Sequence, residues 1–315
     1  MNNLLIGDCR NILPTLEAQS IQCVVTSPPY YNLRDYGVNM QIGQEATFQE
    51  YIDSLVSIFR EVRRVLKDDG TVWLNLGDSY AGSGQGGNLD KNKKLKSMTP
   101  LKQTPLAGLK KKDLIGIPWR VAFALQQDGW YLRQDIIWYK PNVMPESVKD
   151  RCVKSHEYIF LLSKNRNYYF DYKAIKEDSV LFESYKEHGY KRTLNAAHPS
   201  YNLRRDDKRD SMKQTYPQKR LNRKDSDYDI TKRNKRDVWT IPTHPYKGAH
   251  FAAFPLKLVI PCILAGSREG DVILDPFFGS GTVAEAAALL NRNWLGIDIN
   301  PDYEPLYKER LALFA

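Results

Sequence analysis

Cysteine is scarce in this sequence: Cys9, Cys23, Cys152 and Cys262 are the only four in 315 residues. None stands in a CxxC pair. That excludes a disulfide framework and the commonest zinc modules, and leaves buried free thiols in a cytoplasmic chain as the simple reading. The five histidines, His156 and His250 among them, lack any spacing such as HExxH, so no metal site is expected. No apolar run nears the ~20 residues that a membrane-spanning helix needs, and the N-terminal residues lack a signal-peptide pattern, so no membrane partner is expected. A phosphate loop is missing too. The glycines of AGSGQGG, from Ala81, are followed by no Lys-Ser or Lys-Thr at the required place, and that Gly-, Lys- and Pro-rich stretch reads as a mobile loop.

Acidic residues fall short of basic ones, and the shortfall is local. The formal net charge is +9. Between Lys191 and Arg236 stand 15 Lys or Arg against six Asp, an excess that equals that of the whole chain. Arg204, Arg205, Lys208 and Arg209 lie in this window, with Tyr201, Tyr216 and Tyr228 interleaved. Basic side chains mixed with rings that can stack suit a polyanion that carries bases. A solvated insertion without a binding role is the alternative.

What is abundant is an alternation of short apolar runs and helical patterns, with a composition that is 42% hydrophobic. Strands are expected at Leu4–Asp8, Ile21–Thr26, Thr71–Asp78, Tyr131–Lys140, Glu157–Lys164, Val272–Pro276 and Trp294–Ile299. Several are continuous apolar runs, as buried parallel strands are. Phe48, Ile52, Leu55, Val56, Phe59, Val62 and Leu66 recur at helical spacing, and Asp68-Asp69-Gly70 is expected to end that helix. Further helices are expected from Thr282 to about Leu290 and from Pro305 onward. The expected class is α/β, with residues 1–172 and 238–315 as one domain and the basic stretch 173–237 as an insert.

Two strand ends stand out. In DVILDPFFGSGTVAEAA a strand runs into Gly279-Ser280-Gly281 and a helix follows at once. Such glycines allow a tight turn and close approach of a ligand. The next strand ends in Asp298, near the ~20-residue offset of an acid that binds ribose hydroxyls. A nucleoside cofactor is therefore expected here. Only one further strand and a helix follow, so the rest of the sheet must come from the N-terminal half, in a circularly permuted order. There the run IQCVV ends in TSPPYY, Thr26–Tyr31. Prolines cannot continue a central strand, so the chain is turned out with Ser27 and Tyr30 on a stiff support.

Taken in order, TSPPY, IIWYKPN, HFAAFPLKL, DPFFGSGT and GIDINPDY resemble the beta group of DNA amino-methyltransferases, from about Leu4 to Tyr303 outside the basic segment. The resemblance implies a circularly permuted Rossmann-like sheet with helices on both faces, S-adenosyl-L-methionine as cofactor and double-stranded DNA as partner. It also implies an inserted target-recognition region where the basic segment lies. By position, Phe277, Gly279, Gly281 and Thr282 match the cofactor turn, and Asp275 would help hold the methionine part or the turn itself. Asp298 matches the ribose acid, and Asp8 matches an acid near the adenine amino group, although a helix N-cap would also explain Asp8. Lys257 falls where the family lines the methionine end. A cognate restriction endonuclease acting on the same site is a further partner in such systems.

The group's chemistry accounts for the catalytic stretch Ser27, Pro28, Pro29 and Tyr30. An exocyclic amine is a poor nucleophile because its lone pair is conjugated with the ring. The Ser27 hydroxyl and the Pro28 carbonyl can accept its two hydrogens and turn that lone pair toward the methyl donor, on a support that needs little ordering. Tyr30 offers a face for a base flipped out of the duplex, with Tyr139 and Pro141 as an opposite wall. Members with Ser at this position mostly methylate cytosine N4 and those with Asp mostly adenine N6. Cytosine N4 is thus the expected target and adenine N6 the alternative. A protein or RNA amine methyltransferase and a non-catalytic DNA-binding module are the other readings. Pro261-Cys262 suggests a C5-cytosine enzyme only superficially, since it sits in an apolar, helix-like run and reads as core.

Overall fold

The computed structural model describes residues 2–33, 41–82, 108–179, 231–243 and 254–312. By contact the chain divides into two units, Met1–Ala174 with Arg236–Ala315, and Ile175–Lys235.

The first unit is built on an eight-stranded sheet. In chain order its strands are β1 (Asn2–Ile6), β2 (Ile21–Thr26), β3 (Leu66–Leu76), β4 (Tyr131–Tyr139), β5 (His156–Ser163), β8 (Val238–Thr240), β9 (Val272–Asp275) and β10 (Asn293–Asp298). In space the order is β1-β10-β9-β2-β3-β5-β4-β8. From β1 to β3 every neighbour is parallel; β5 runs antiparallel to both β3 and β4, and β8 pairs parallel with β4. The C-terminal pair β9–β10 thus sits between the two N-terminal strands β1 and β2. This is the permuted α/β arrangement, with its switch point between β9 and β2, where ligands of open parallel sheets bind beyond the carboxyl ends of the strands.

Helices cover both faces. On one, α2 (Phe48–Val65) and α3 (Ile117–Gln127) pack with the alternate residues Val24, Val72, Leu74, Leu274 and Ile297 in a single core cluster. Helix α2 forms because Ile52, Leu55, Phe59 and Val62 make one apolar stripe, joined by Tyr51, Ile58 and Val65. Its start is a capping box: Glu50 N–H donates to Thr47 Oγ1 and Thr47 N–H to Glu50 Oε2, both at 3.2 Å, an arrangement worth about 1 kcal/mol. On the other face lies α4 (Leu256–Gly266), beside α5 (Thr282–Leu289). It packs so closely that a Cβ on Gly266 would lie 2.6 Å from Thr71 Oγ1 and 2.8 Å from Cys23 Sγ. Cys262 is buried in α4, in keeping with its reading as core, whereas Cys152 is exposed and departs from the expectation of buried thiols. Short α1 (Cys9–Ile12) follows β1, and α6 (Glu304–Leu311) ends the described chain.

One boundary differs from the expected one. Helix α2 ends at Val65, because the next residue, Leu66, already pairs with Ile21, and Asp68-Asp69-Gly70 is not its stop. The register then slips, so that Cys23 pairs with Thr71. The three residues form a bulge inside β3. Gln22 Nε2 donates to Asp69 Oδ1 at 3.1 Å, and a Cβ on Gly70 would come within 2.6 Å of Leu66. A long-range pairing stopped the helix before the local signal did.

The second unit, Ile175–Lys235, has described residues only near its two ends. There β6 (Glu177–Asp178) and β7 (Lys232–Arg233) pair antiparallel, with Arg233–Glu177 and Lys232–Asp178 ion pairs along the ladder. Arg204, Arg205, Lys208 and Arg209 lie outside the described residues, as does most of the Gly- and Lys-rich stretch from Ala81.

Candidate active site

A cavity of about 310 Å³ opens at the carboxyl ends of β1, β2, β9 and β10. Its wall includes Asp8, Ser27, Pro28, Pro29, Tyr30, Asp275, Phe277, Gly279, Thr282 and Asp298. Two stretches some 250 residues apart in the chain therefore form one recess, because β2 and β9 are neighbours in the sheet.

The side with the glycine turn is organised by two carboxylates. Asp298, at the end of β10, accepts from Gly279 N–H at 2.7 Å and from Asn300 N–H at 2.9 Å. Burial raises its carboxyl above the ordinary range, against the pull of those N–H groups. Asp275, at the end of β9, accepts from Thr26 Oγ1 at 2.7 Å and from Phe277 N–H at 3.1 Å. It holds the turn and ties it to β2. Burial, with Asp298 nearby, pushes its carboxyl up to about 7 although both hydrogen bonds oppose this. Gly279 and Gly281 have φ of 54° and 80°, and a Cβ on Gly281 would lie 2.8 Å from the Tyr307 Cβ, so the tight turn requires glycine there. Phe278, beside Phe277, is packed flat on Trp294 with 5.5 Å between ring centres and supports the turn from below. Thr282 begins α5, where its Oγ1 accepts from Arg310 at 2.6 Å.

These residues fit a nucleoside cofactor. The Ser280 hydroxyl on the glycine turn is buried without a hydrogen-bond partner among the described residues. An orphaned buried hydroxyl is uncommon in a finished core and common where a polar ligand completes the site. Asp298, the acid expected to bind ribose hydroxyls, lines the same cavity. Asp8 does double duty: it caps α1 through Arg10 N–H at 2.9 Å, and it lines the cavity. Burial disfavours its charge, but the Arg10 guanidinium and backbone N–H outweigh this and hold the carboxyl below its ordinary value. Lys257 is not brought here. It is exposed on the first turn of α4, and Phe254, just before that helix, lines the cavity instead.

The side expected to be catalytic is a fixed proline turn. Tyr51 Oη donates to the Pro29 carbonyl at 2.9 Å, and the Tyr51 ring lies 5.6 Å from that of Tyr31. The Pro28 carbonyl accepts no hydrogen bond among the described residues. Ser27 Oγ has only long contacts, 3.4 Å to Tyr30 Oη and 3.4 Å to Asn75 Nδ2. Both acceptors expected for an amine are thus lightly engaged. Tyr30 is anchored: its hydroxyl donates to Glu157 Oε2 at 2.8 Å and accepts from Asn75 Nδ2 at 2.5 Å. Its ring lies over Gly77, where a Cβ would come 2.5 Å from Tyr30 Cε2. Burial first, and then the charge of Glu157, raise the Tyr30 phenol well above its ordinary value.

Glu157 is the centre of a network that residue order did not reveal. It pairs with Lys140 and also accepts from Asn75 Nδ2 at 3.0 Å. Burial works against its charge, but the Lys140 ammonium and the three hydrogen bonds hold the carboxyl below the ordinary range. The Lys140 head lies 4.1 Å from the centre of the Trp138 ring. The opposite wall is therefore Trp138 and Lys140, and not Tyr139 and Pro141, which are exposed and do not line the cavity. Strand alternation explains the correction: residues two apart share a face, so Trp138 and Lys140 point in and Tyr139 points away. One signal was legible, namely a lone carboxylate and a lone lysine at the ends of two apolar strands.

Comparison with known proteins identifies the family. The N6/N4 DNA methylase model matches residues 21–309. The Type II methyltransferase M.SmaI of Serratia marcescens is 46% identical over 309 residues, covering 98% of this chain and 90% of that protein. M.Cfr9I of Citrobacter freundii is 44% identical, covering 98% and 87%. Among solved structures, the cytosine-N4-specific PvuII DNA methyltransferase superposes with a TM-score of 0.63 at 18% identity, over 98% of this chain and 86% of that one. A Thermus thermophilus protein in complex with S-adenosyl-L-methionine superposes with a TM-score of 0.59 at 23% identity, over 100% and 94%. With residues 21–309 matched and a full-length relative at 46% identity, the chain belongs to the N6/N4 DNA methylase family, whose methyl donor is S-adenosyl-L-methionine.

Proposed function

We propose that the protein is a site-specific Type II DNA methyltransferase that methylates the exocyclic N4 of a cytosine flipped out of duplex DNA. One observation carries this reading: Ser27 and the Pro28 carbonyl, lightly engaged and rigidly mounted, open into the same cavity as Gly279, Asp275 and Asp298. The Type II assignment is supported by the full-length similarity to M.SmaI and M.Cfr9I. The choice of cytosine is supported by Ser27, since members of the group with Ser at this position mostly methylate cytosine N4 and those with Asp mostly adenine N6; the hydroxyl can accept from the amine and donate toward the neighbouring ring nitrogen.

Bound S-adenosyl-L-methionine supplies an electrophilic methyl group on a sulfonium. Asp298 and the Gly279–Gly281 turn hold the nucleoside part, and Asp8 and Asp275 line the rest of that side. Ser27 Oγ and the Pro28 carbonyl accept the two amine hydrogens and turn the nitrogen lone pair out of conjugation. Their support is already ordered by Tyr51 and Glu157, so little reorganisation remains at reaction. No strong base is needed, because the methylated amine is acidic and sheds its proton afterwards. Tyr30 offers its ring to the flipped base. The segment 173–237, with its concentrated positive charge, holds the DNA and selects the sequence. A cognate restriction endonuclease acting on the same sequence is the partner this reading carries.

Ser27→Ala tests it. Cofactor binding should persist while single-turnover methylation slows ~10²–10³-fold, the usual cost of losing one preorganised polar group. Mass analysis of nucleosides digested from modified duplex should show N4-methylcytosine. A wild-type chemical step in folded Ser27→Ala, or N6-methyladenine as product, overturns the reading.

A further inference from the structure

Resting on that reading, we propose that Lys140 selects cytosine over adenine by donating a hydrogen bond to the 2-carbonyl of the flipped base. The argument begins with a count of donors and acceptors. Both Glu157 oxygens are taken, one by Lys140 and the other by Tyr30 Oη and Asn75 Nδ2. Lys140 has three N–H donors. One serves Glu157 and the head rests on the Trp138 ring, and no other acceptor reaches it among the described residues. Two N–H groups of a half-buried ammonium thus remain on the wall of the cavity that contains Ser27. A single run of contacts, Ser27 Oγ to Tyr30 Oη to Glu157 to Lys140, fixes where that ammonium stands relative to the amine acceptors.

The recess therefore offers acceptors on one side, Ser27 Oγ and the Pro28 carbonyl, and a surplus of donors on the other. Cytosine has the matching edge: an amine, then the N3 acceptor, then the 2-carbonyl acceptor. Adenine presents its amine and N1, followed by a C–H where cytosine has the carbonyl. An ammonium facing a C–H keeps its desolvation cost and gains nothing, and that asymmetry produces discrimination. Glu157 has a supporting part: it neutralises the ammonium between turnovers and fixes its position, with Trp138 beneath.

The test is a cycle of two substrates and two enzymes. One duplex carries cytosine at the target position. The other carries a 2-aminopyridine C-nucleoside, which keeps the amine and the adjacent ring nitrogen but lacks the 2-carbonyl. Lys140→Met alone leaves the buried Glu157 charge unpaired and risks misfolding, so Lys140→Met combined with Glu157→Gln is the second variant, in which the new side-chain amide still accepts from Tyr30. Wild-type kcat/KM should drop about tenfold or more on loss of the carbonyl, whereas the double variant should drop less than about twofold, being already slow on cytosine. An equal drop in both enzymes, with wild type still yielding N4-methylcytosine, overturns the role of Lys140 alone. N6-methyladenine as the wild-type product overturns the cytosine reading and this inference with it.

Discussion

The Asp275 carboxyl should make the cofactor-free protein less stable than it would be with a neutral amide in its place. Its folded value of about 7 lies above the ordinary 3.8, because the group is buried near Asp298. Between those values the unfolded chain has released a proton that the folded protein still holds. The stability linked to this group is thus full below pH ~4 and is lost as pH rises toward 7. A gap of roughly three pH units at ~1.4 kcal/mol each amounts to about 4 kcal/mol, and about 2 kcal/mol of it falls between pH ~5.5 and ~8.5. Asp275→Asn keeps the shape and the oxygen that accepts from Thr26 Oγ1 and Phe277 N–H. Urea denaturation at the two pH values reads the outcome. The variant's advantage over wild type should be about 2 kcal/mol larger at the higher pH. The same substitution should weaken S-adenosyl-L-methionine binding, since a carboxylate is kept at such a cost only where the site uses it. A stability difference that does not change with pH, or a wild type that gains on the variant at high pH, refutes the assignment of a raised carboxyl to Asp275.

Asp298→Ala should cost about 1–3 kcal/mol in cofactor affinity through lost ribose hydrogen bonds, and unchanged affinity by calorimetry in a folded variant removes Asp298 from the site. Gly77→Ala should push on the Tyr30 ring, which the 2.5 Å approach to Cε2 and the Glu157 hydrogen bond leave no room to yield. Single-turnover methylation should then slow on the order of 10²-fold with cofactor binding retained, and a wild-type rate would show that the ring position is immaterial. Changing Arg204, Arg205, Lys208 and Arg209 together to Gln should weaken duplex binding and flatten its salt dependence, by about 0.9 in log–log slope for each phosphate no longer neutralised. Affinity and slope that stay at wild-type values would place the DNA surface elsewhere.

Much of this protein was legible in residue order alone. The seven main strands lie within a few residues of their expected places, since a buried parallel strand shows itself as a short apolar run. The Gly279–Gly281 turn, Asp298 and the Ser27–Tyr30 turn could be named because glycine and proline restrict the backbone wherever they stand. The permuted order was expected from the placement of the glycine turn after the TSPPYY strand, and the sheet has it, with β9 and β10 between β1 and β2. The tertiary structure decided what depends on distant partners. Helix α2 ends at Val65 because Leu66 pairs with Ile21, a pairing stronger than the local Asp-Asp-Gly signal. Helix α3 (Ile117–Gln127) and edge strand β8 (Val238–Thr240) were not named, the first beside a Gly- and Lys-rich stretch and the second too short to show a period. Trp138 and Lys140 replaced Tyr139 and Pro141 because facing is a matter of strand parity, and which parity points inward is set by the neighbours in the sheet. The Lys140–Glu157–Asn75–Tyr30 network joins residues 17, 82 and 127 positions from Glu157. Each alone is an ordinary polar residue. They become one device only when β2, β3, β5 and β4 lie side by side and bring a phenol, an amide, a carboxylate and a lysine to the same end of the sheet.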